Sequence, residues 1–253
     1  MKLNCRQYGE GDPLIIMHGL FGMLDNWTTL AKMWAKDFHV VTVDMRNHGH
    51  SDRSDILNYD VMMDDIRELM DELHLPHVSL LGHSMGGKVA MKLAQNYPQD
   101  IERLIVADIG PKNYPVHHRD ILDTLCSMNL EEIKTRKQAQ DFLTERMRNE
   151  GVVLFFLKNL YWNDDKKLEW RFNLKVIEDH IEKVGIAIED QIYRGRTLFL
   201  RGDLSPYILD DDWPEIQVIF PDSELITVHD AGHWLHAEKR QEFYEAVYQF
   251  LKS

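Results

Sequence analysis

A serine set among glycines, Gly82-His83-Ser84-Met85-Gly86-Gly87, is the pattern in this chain best suited to chemistry, because it follows an apolar run and opens a helical one. On a sharp strand-to-helix turn a serine hydroxyl stands clear of the backbone, and neighbours without Cβ atoms let adjoining segments come close. The helix start also offers free N–H groups, and the positive end of its dipole, to an anion forming beside the serine. Ser84 is therefore expected to be a nucleophile; the alternative is a purely structural tight turn. Acyl transfer at such a serine needs at least two donors for the developing oxyanion. The Met85 N–H is expected to be one, and the Leu20 N–H, in His18-Gly19-Leu20-Phe21-Gly22, the other. His18 itself is expected to fix its loop by hydrogen bonding.

A serine hydroxyl is a poor nucleophile until an imidazole takes its proton. The chain has 13 histidines, so position must select among them. His233, in Asp230-Ala231-Gly232-His233-Trp234, lies after the last apolar run and before the final helix, on the same sheet edge as the nucleophile turn. It is the expected base. His229 and His236 read as packing or surface residues, and His117 and His118 as part of an insertion. No metal or cofactor is expected. Cys5 and Cys126 lack ligand spacing, His229 and His233 straddle a glycine loop, and Gly82 to Gly87 has neither the P-loop lysine pattern nor the dinucleotide fingerprint.

Positioning these groups falls to short apolar runs rich in β-branched residues: Leu14 to Met17, Val40 to Val43, Val78 to Leu81, Leu104 to Ala107, Thr197 to Leu200 and Leu225 to Val228. Runs without alternation suit strands covered on both faces, as in a parallel sheet. Helical segments are expected at Trp27 to Lys36, Tyr59 to Leu73, Met85 to Asn96 and Glu238 to Leu251. In the second of these, Met62, Ile66, Leu69, Met70 and Leu73 share one side, while Asp64, Asp65, Arg67 and Glu68 take the other. Strand alternating with helix predicts an α/β fold with a mostly parallel, doubly wound sheet. The rhythm stops after Pro111 and resumes at Thr197. Between them only helical periodicity is evident, at Ile121, Leu122 and Leu125, then Ala139, Phe142, Leu143 and Met147. Residues 1–111 and 196–253 thus read as a core, and 112–195 as a helical insertion over the carboxyl ends of the strands, where such folds bind ligands. The alternative is an autonomous helical domain.

The chain has 253 residues, enough for a full core, with 29 basic and 42 acidic side chains and a formal charge of −13. Nucleic acid and anionic membranes would be repelled, since binding them needs a concentrated basic face. The longest apolar run, Val152 to Leu157, is far below membrane-spanning length. Charge and polarity at Met1 to Arg6 occupy the place of a signal-peptide core, and two cysteines are too few for a disulfide framework. A cytoplasmic protein is expected, in an oligomeric state that the sequence leaves open.

These motifs, with Asp44-Met45-Arg46-Asn47-His48-Gly49-His50-Ser51-Asp52 as a further landmark, resemble the α/β-hydrolase fold over nearly the whole chain. Asp44 to Gly49, Gly82 to Lys88, Glu169 to Asn173 and Gly232 to Lys239 are similar to the small bacterial YbfF-type esterases, and related mitochondrial hydrolases share the outline. The resemblance implies cofactor-independent hydrolysis of an ester or thioester, acyl-CoA compounds included, beneath a helical cap at Lys112 to Gly195. Phe155 and Trp162 would then contact the acyl group or fill the cap's own core. Arg46, Lys112, Arg119 and Arg171 would rim the crevice and offset the negative field for an anionic thioester.

One departure concerns the acid of the triad. The family's usual aspartate follows the next-to-last strand, where this chain reads Gly202-Asp203-Leu204-Ser205-Pro206-Tyr207, with serine in its place. Asp108, ending the strand before the insertion, keeps the order serine, acid, histidine. Asp203 is the alternative, with Ser205 a member of the same network. A serine at position 84 disfavours dehalogenases and epoxide hydrolases, which use a carboxylate there. Cofactor-free haloperoxidases, carbon–carbon bond hydrolases and a non-catalytic ligand receptor remain as rival readings.

Overall fold

The computed structural model describes residues 1–115, 119–147, 149–188 and 191–253. His117 and His118 lie outside the described residues. Seven strands form one sheet: β1 (Cys5–Tyr8), β2 (Asp12–Met17), β3 (Phe38–Val43), β4 (Val78–His83), β5 (Ile101–Ala107), and, after two short strands of the insertion, β8 (Thr197–Gly202) and β9 (Ser223–Val228). Their spatial order is β1-β3-β2-β4-β5-β8-β9, with β1 antiparallel to β3 and every other pairing parallel.

Burial on both faces explains the unbroken apolar runs. Ile15 and Met17 of β2 join one apolar cluster with α2 (Tyr59–Glu72) and α3 (Met85–Asn96). Leu14 and Ile16 join another, with α1 (Thr28–Trp34) and, at the chain's end, α10 (Arg240–Lys252). A period of two thus divides each strand between two helical layers. The chain leaves β2 for β3 on one side and later takes β4 on the other. That reversal opens a crevice at the carboxyl ends of β2 and β4, the switch point of a doubly wound sheet.

Between β5 and β8 lie α4 (Arg119–Cys126), α5 (Arg136–Arg146), α6 (Glu150–Lys158), β6 (Leu160–Trp162), β7 (Leu168–Trp170) and α7 (Leu174–Gly185). After β8 come α8 (Trp213–Ile219) and, beyond β9, α9 (Leu235–Glu238). The insertion packs on the sheet's own cluster. Phe21 meets Phe156 and Phe172 edge-on at 5.4 and 5.0 Å, Asn173 N donates to Asn47 O at 2.8 Å, and Arg53 Nη2 donates to Trp170 O at 3.0 Å.

Three expectations need correction. The insertion holds strands as well as helices: β6 and β7 pair antiparallel, Leu160 with Trp170 and Trp162 with Leu168. Each is three residues long, too short to show a period, and Tyr161 Oη ties them by donating to Glu169 Oε2 at 2.6 Å. The edge strand β1 is polar and half-exposed, so it gives no apolar run. Asp65 does not face solvent. At 1% exposure it turns inward because Arg46 waits there, donating from Nε at 2.5 Å and from Nη2 at 2.8 Å.

Candidate active site

The elbow is as tight as its glycines require. Ser84 lies between β4 and α3 with φ 52° and ψ −118°, a backbone state that L-residues hold only when the surroundings enforce it. A Cβ on Gly86 would stand 2.5 Å from Met17 O, and one on Gly19 would stand 3.1 Å from Ser84 Cβ. The loop after β2 therefore lies directly against the Ser84 turn, with the Leu20 segment beside Ser84.

That loop is held by neutral histidines. His18 Nδ1 donates to Gly19 O at 2.8 Å and its Nε2 accepts from Met45 N at 3.0 Å. His48 Nε2 accepts from Phe21 N at 3.2 Å, while its Nδ1 donates to Arg46 O at 2.9 Å. Each ring must both donate and accept, so each must be uncharged. Burial pushes His18 down to about 4 and His48 down to about 3. Asp44 braces the landmark segment by accepting from Leu24 N at 2.7 Å and His50 N at 2.9 Å.

Asp108 directly follows β5, with φ 53° and no exposed surface. Its Oδ2 meets His233 Nδ1 at 2.8 Å and accepts from Ser205 Oγ, and its Oδ1 accepts from Gly202 N at 3.1 Å. A buried carboxylate requires such donors. Asp203 is engaged elsewhere: Oδ2 lies 3.1 Å from the exposed His229, and Oδ1 accepts from Ala231 N at 3.3 Å. Ser205 thus donates to a carboxylate that directly follows β5.

Besides Asp108, two rings hold the ring of His233. Tyr207 stacks on it at 4.1 Å and 23°, and the ring of His83 lies 4.6 Å away. His83, next to Ser84, also donates from Nε2 to His233 O at 2.7 Å, and burial drives its ring well below the usual histidine range. His236 stacks on Trp27 at 4.4 Å, and burial lowers it to about 3. Among the described residues no hydrogen bond yet joins Ser84 Oγ to His233, a contact often loose before substrate arrives. Tyr207 was not singled out from the sequence. Its position after Pro206, in the loop where the usual acid would lie, was the available signal.

A small cavity, partly open to solvent, has Ser84 and Met85 in its lining, with Ile109, Tyr114, Ile181, Val184 and Tyr207 around them. Not every expected rim residue reaches it. Arg46 is withdrawn, its guanidinium used up on Asp65, Ile56 O and Val61 O. Lys112 is paired with Asp212 at 2.6 Å. Trp162 is 42% exposed on β6 and, like Arg119 at the start of α4, is not in the cavity lining. Arg171 lies 3.6 Å over the Tyr161 ring, and Phe155 packs 6.0 Å from Trp234, the neighbour of His233.

Residues 12–151 match the alpha/beta hydrolase fold family. The chain is 38% identical to the sn-1-specific diacylglycerol lipase ABHD11 of Danio rerio, over 96% of this chain and 80% of that one. This chain belongs to the alpha/beta hydrolase fold family. Esterase YbfF of Escherichia coli K12 is a further relative, 33% identical over 99% of both chains. A solved marine microorganism esterase superposes with a TM-score of 0.96 at 39% identity, covering 98% of this chain and 99% of that one. The resemblance to YbfF-type esterases thus extends along the full chain, and this alpha/beta hydrolase is an enzyme that hydrolyses esters. Among its described residues no helix is long and apolar enough to cross a membrane.

The buried histidines of this hydrolase carry a stability consequence. Their folded-state pKa values lie below the unfolded value of about 6.5, so below that pH the unfolded chain binds protons that the native state refuses. Their contribution is complete above pH 6.5 and is lost as pH falls toward 4 and 3, the values for His18 and for His48 and His236. By pH 5 each such histidine costs about 2 kcal/mol. Urea midpoints are expected to fall steeply between pH 7 and pH 5; a flat profile would contradict the neutral, buried assignment.

Proposed function

We propose that this protein is a serine hydrolase in which Ser84 is the nucleophile, His233 the base and Asp108 the orienting acid. The observation that carries the reading is the 2.8 Å contact between His233 Nδ1 and the buried Asp108, beside a serine held on a strained elbow. His233 Nε2 takes the proton of Ser84 Oγ as the oxygen attacks the acyl carbon. The Leu20 and Met85 N–H groups receive the oxyanion. Collapse of the tetrahedral species transfers the proton to the leaving oxygen or sulfur and leaves an acyl-enzyme. Water, deprotonated by the same imidazole, then releases the acid. Asp108 keeps Nδ1 protonated and stabilises the imidazolium throughout. The apolar walls at Ile109, Ile181 and Val184 suit an acyl chain.

Residues 112–195 act as a cap on a core of 1–111 and 196–253, a division supported by the contacts of Phe21 with Phe156 and Phe172. The substrate is a small ester, with an acyl-CoA thioester as the narrower possibility. Of the four cations expected at the rim, Arg46 and Lys112 are paired with Asp65 and Asp212, and neither Arg119 nor Arg171 is among the residues lining the cavity, so an anionic leaving group has the weaker support. Free Cys5 and Cys126 support a reducing, cytoplasmic setting. The test is a rate panel on purified protein: esters, acyl-CoA thioesters, haloperoxidase substrates and vinylogous diketones. Ester turnover is expected to dominate. Lack of thioester turnover at low salt, where attraction is least screened, would leave simple esters alone; dominance of another class would replace the reading.

A further inference from the structure

Lys88 sits four residues after Ser84 on α3, about 6 Å further along the helix, and is almost wholly buried. A buried ammonium needs compensation. Here it comes from the carbonyls of Lys112 at 2.9 Å, Gly185 at 3.1 Å and Ile186, and from the rings of Tyr114 and Tyr59 at 5.0 and 5.8 Å. Those carbonyls lie where the chain enters the insertion and where it leaves it. Related bonds draw the two crossings together: Tyr114 N donates to Gly185 O at 2.8 Å, Ile188 N to Pro111 O at 2.8 Å, and Tyr59 Oη to Val184 O at 2.6 Å. Gly185 permits the approach, since a Cβ there would stand 2.3 Å from Tyr114 O. Tyr59, Tyr114, Val184 and Gly185 are also walls of the cavity at Ser84.

We propose that Lys88 is a positioning residue that clasps both crossings of the insertion, closes the far end of the Ser84 cavity, and so limits the length of the acyl group accepted. The proposal rests on the reading of Ser84 as the nucleophile. Lys88→Met keeps the length of the side chain and removes its donors, freeing residues 184–186 to move from the wall. The chemistry at Ser84 does not pass through the amine, so selectivity should change more than reactivity.

The experiment compares acetyl with octanoyl p-nitrophenyl esters, together with fluorophosphonate labelling. In Lys88→Met the octanoyl-to-acetyl ratio of kcat/KM is expected to rise about tenfold, through a lower KM for the longer chain, while labelling persists. Tyr59→Phe releases only Val184 O and is expected to shift the ratio the same way by less; it carries the test should Lys88→Met fail to fold. An unchanged ratio in a folded variant, or an equal loss for both esters, overturns the proposal. Absence of labelling in the wild-type protein would instead remove the Ser84 reading, and this proposal with it.

Discussion

Replacing Ser84 by alanine is expected to abolish fluorophosphonate labelling and to lower ester turnover by about 10⁴- to 10⁶-fold, the scale seen when a nucleophile of this type is removed. The loss is large because no other group replaces the attacking oxygen, and only the oxyanion donors and substrate binding remain. The variant should fold. Ser84 Oγ makes no hydrogen bond among the described residues, and the strained turn is enforced by the approach of Gly86 to Met17 O and of Gly19 to Ser84, neither of which the substitution alters. Labelling is read by intact mass, turnover with a short p-nitrophenyl ester. Undiminished turnover in Ser84→Ala would sink the triad. A wild-type protein that is neither labelled nor active on any ester would favour a ligand receptor.

Asp108→Asn is expected to cost about 10⁴-fold in turnover with the fold retained, because an amide opposite Nδ1 favours the imidazole tautomer that cannot accept the serine proton. Asp203→Asn is expected to leave turnover near wild type, since that carboxylate bonds the exposed His229 and the Ala231 N–H. Ser205→Ala should fall between them. It removes one donor from a fully buried carboxylate, a deficit worth about 1–3 kcal/mol, while His233 and Gly202 N still hold Asp108. Circular dichroism establishes that each variant is folded. A large loss confined to Asp203→Asn would overturn the assignment, and modest losses in both aspartate variants would mean a shared role or an acid elsewhere.

Much of this was legible from the sequence because it is local. The apolar runs at Leu14, Val40, Val78, Leu104, Thr197 and Leu225 each became a strand of the main sheet, and Met85 to Asn96 became a helix with those bounds. Burial on two faces writes itself into a strand as an unbroken run, and a strand-to-helix elbow writes itself as glycines at fixed spacing. His18 was legible as a loop brace for a similar reason, since one of its partners is the next residue, Gly19.

What the sequence left open was decided across long separations. Read along the chain, Asp108 is the expected acid and Asp203 the alternative, and His233 is 125 residues from the first of them. The contact between Asp108 and His233 follows from register. Ala107 pairs with Leu200, and Asp108 N continues that ladder to Leu200 O at 2.7 Å, which carries the carboxylate to Gly202 N, Ser205 and His233. Arg46 reads as a rim cation because it lies in the landmark segment after β3, and Asp65 reads as a solvent-side residue of α2; only the packed structure turns both inward onto each other. The three-residue strands β6 and β7 hold each other by pairing, with no period of their own to display. The sequence by itself determined which segments bury and where the backbone must turn sharply, because those depend on neighbouring residues. Only the tertiary structure decided which charged groups meet, because that depends on strand order and register, to which no single segment contributes a readable signal.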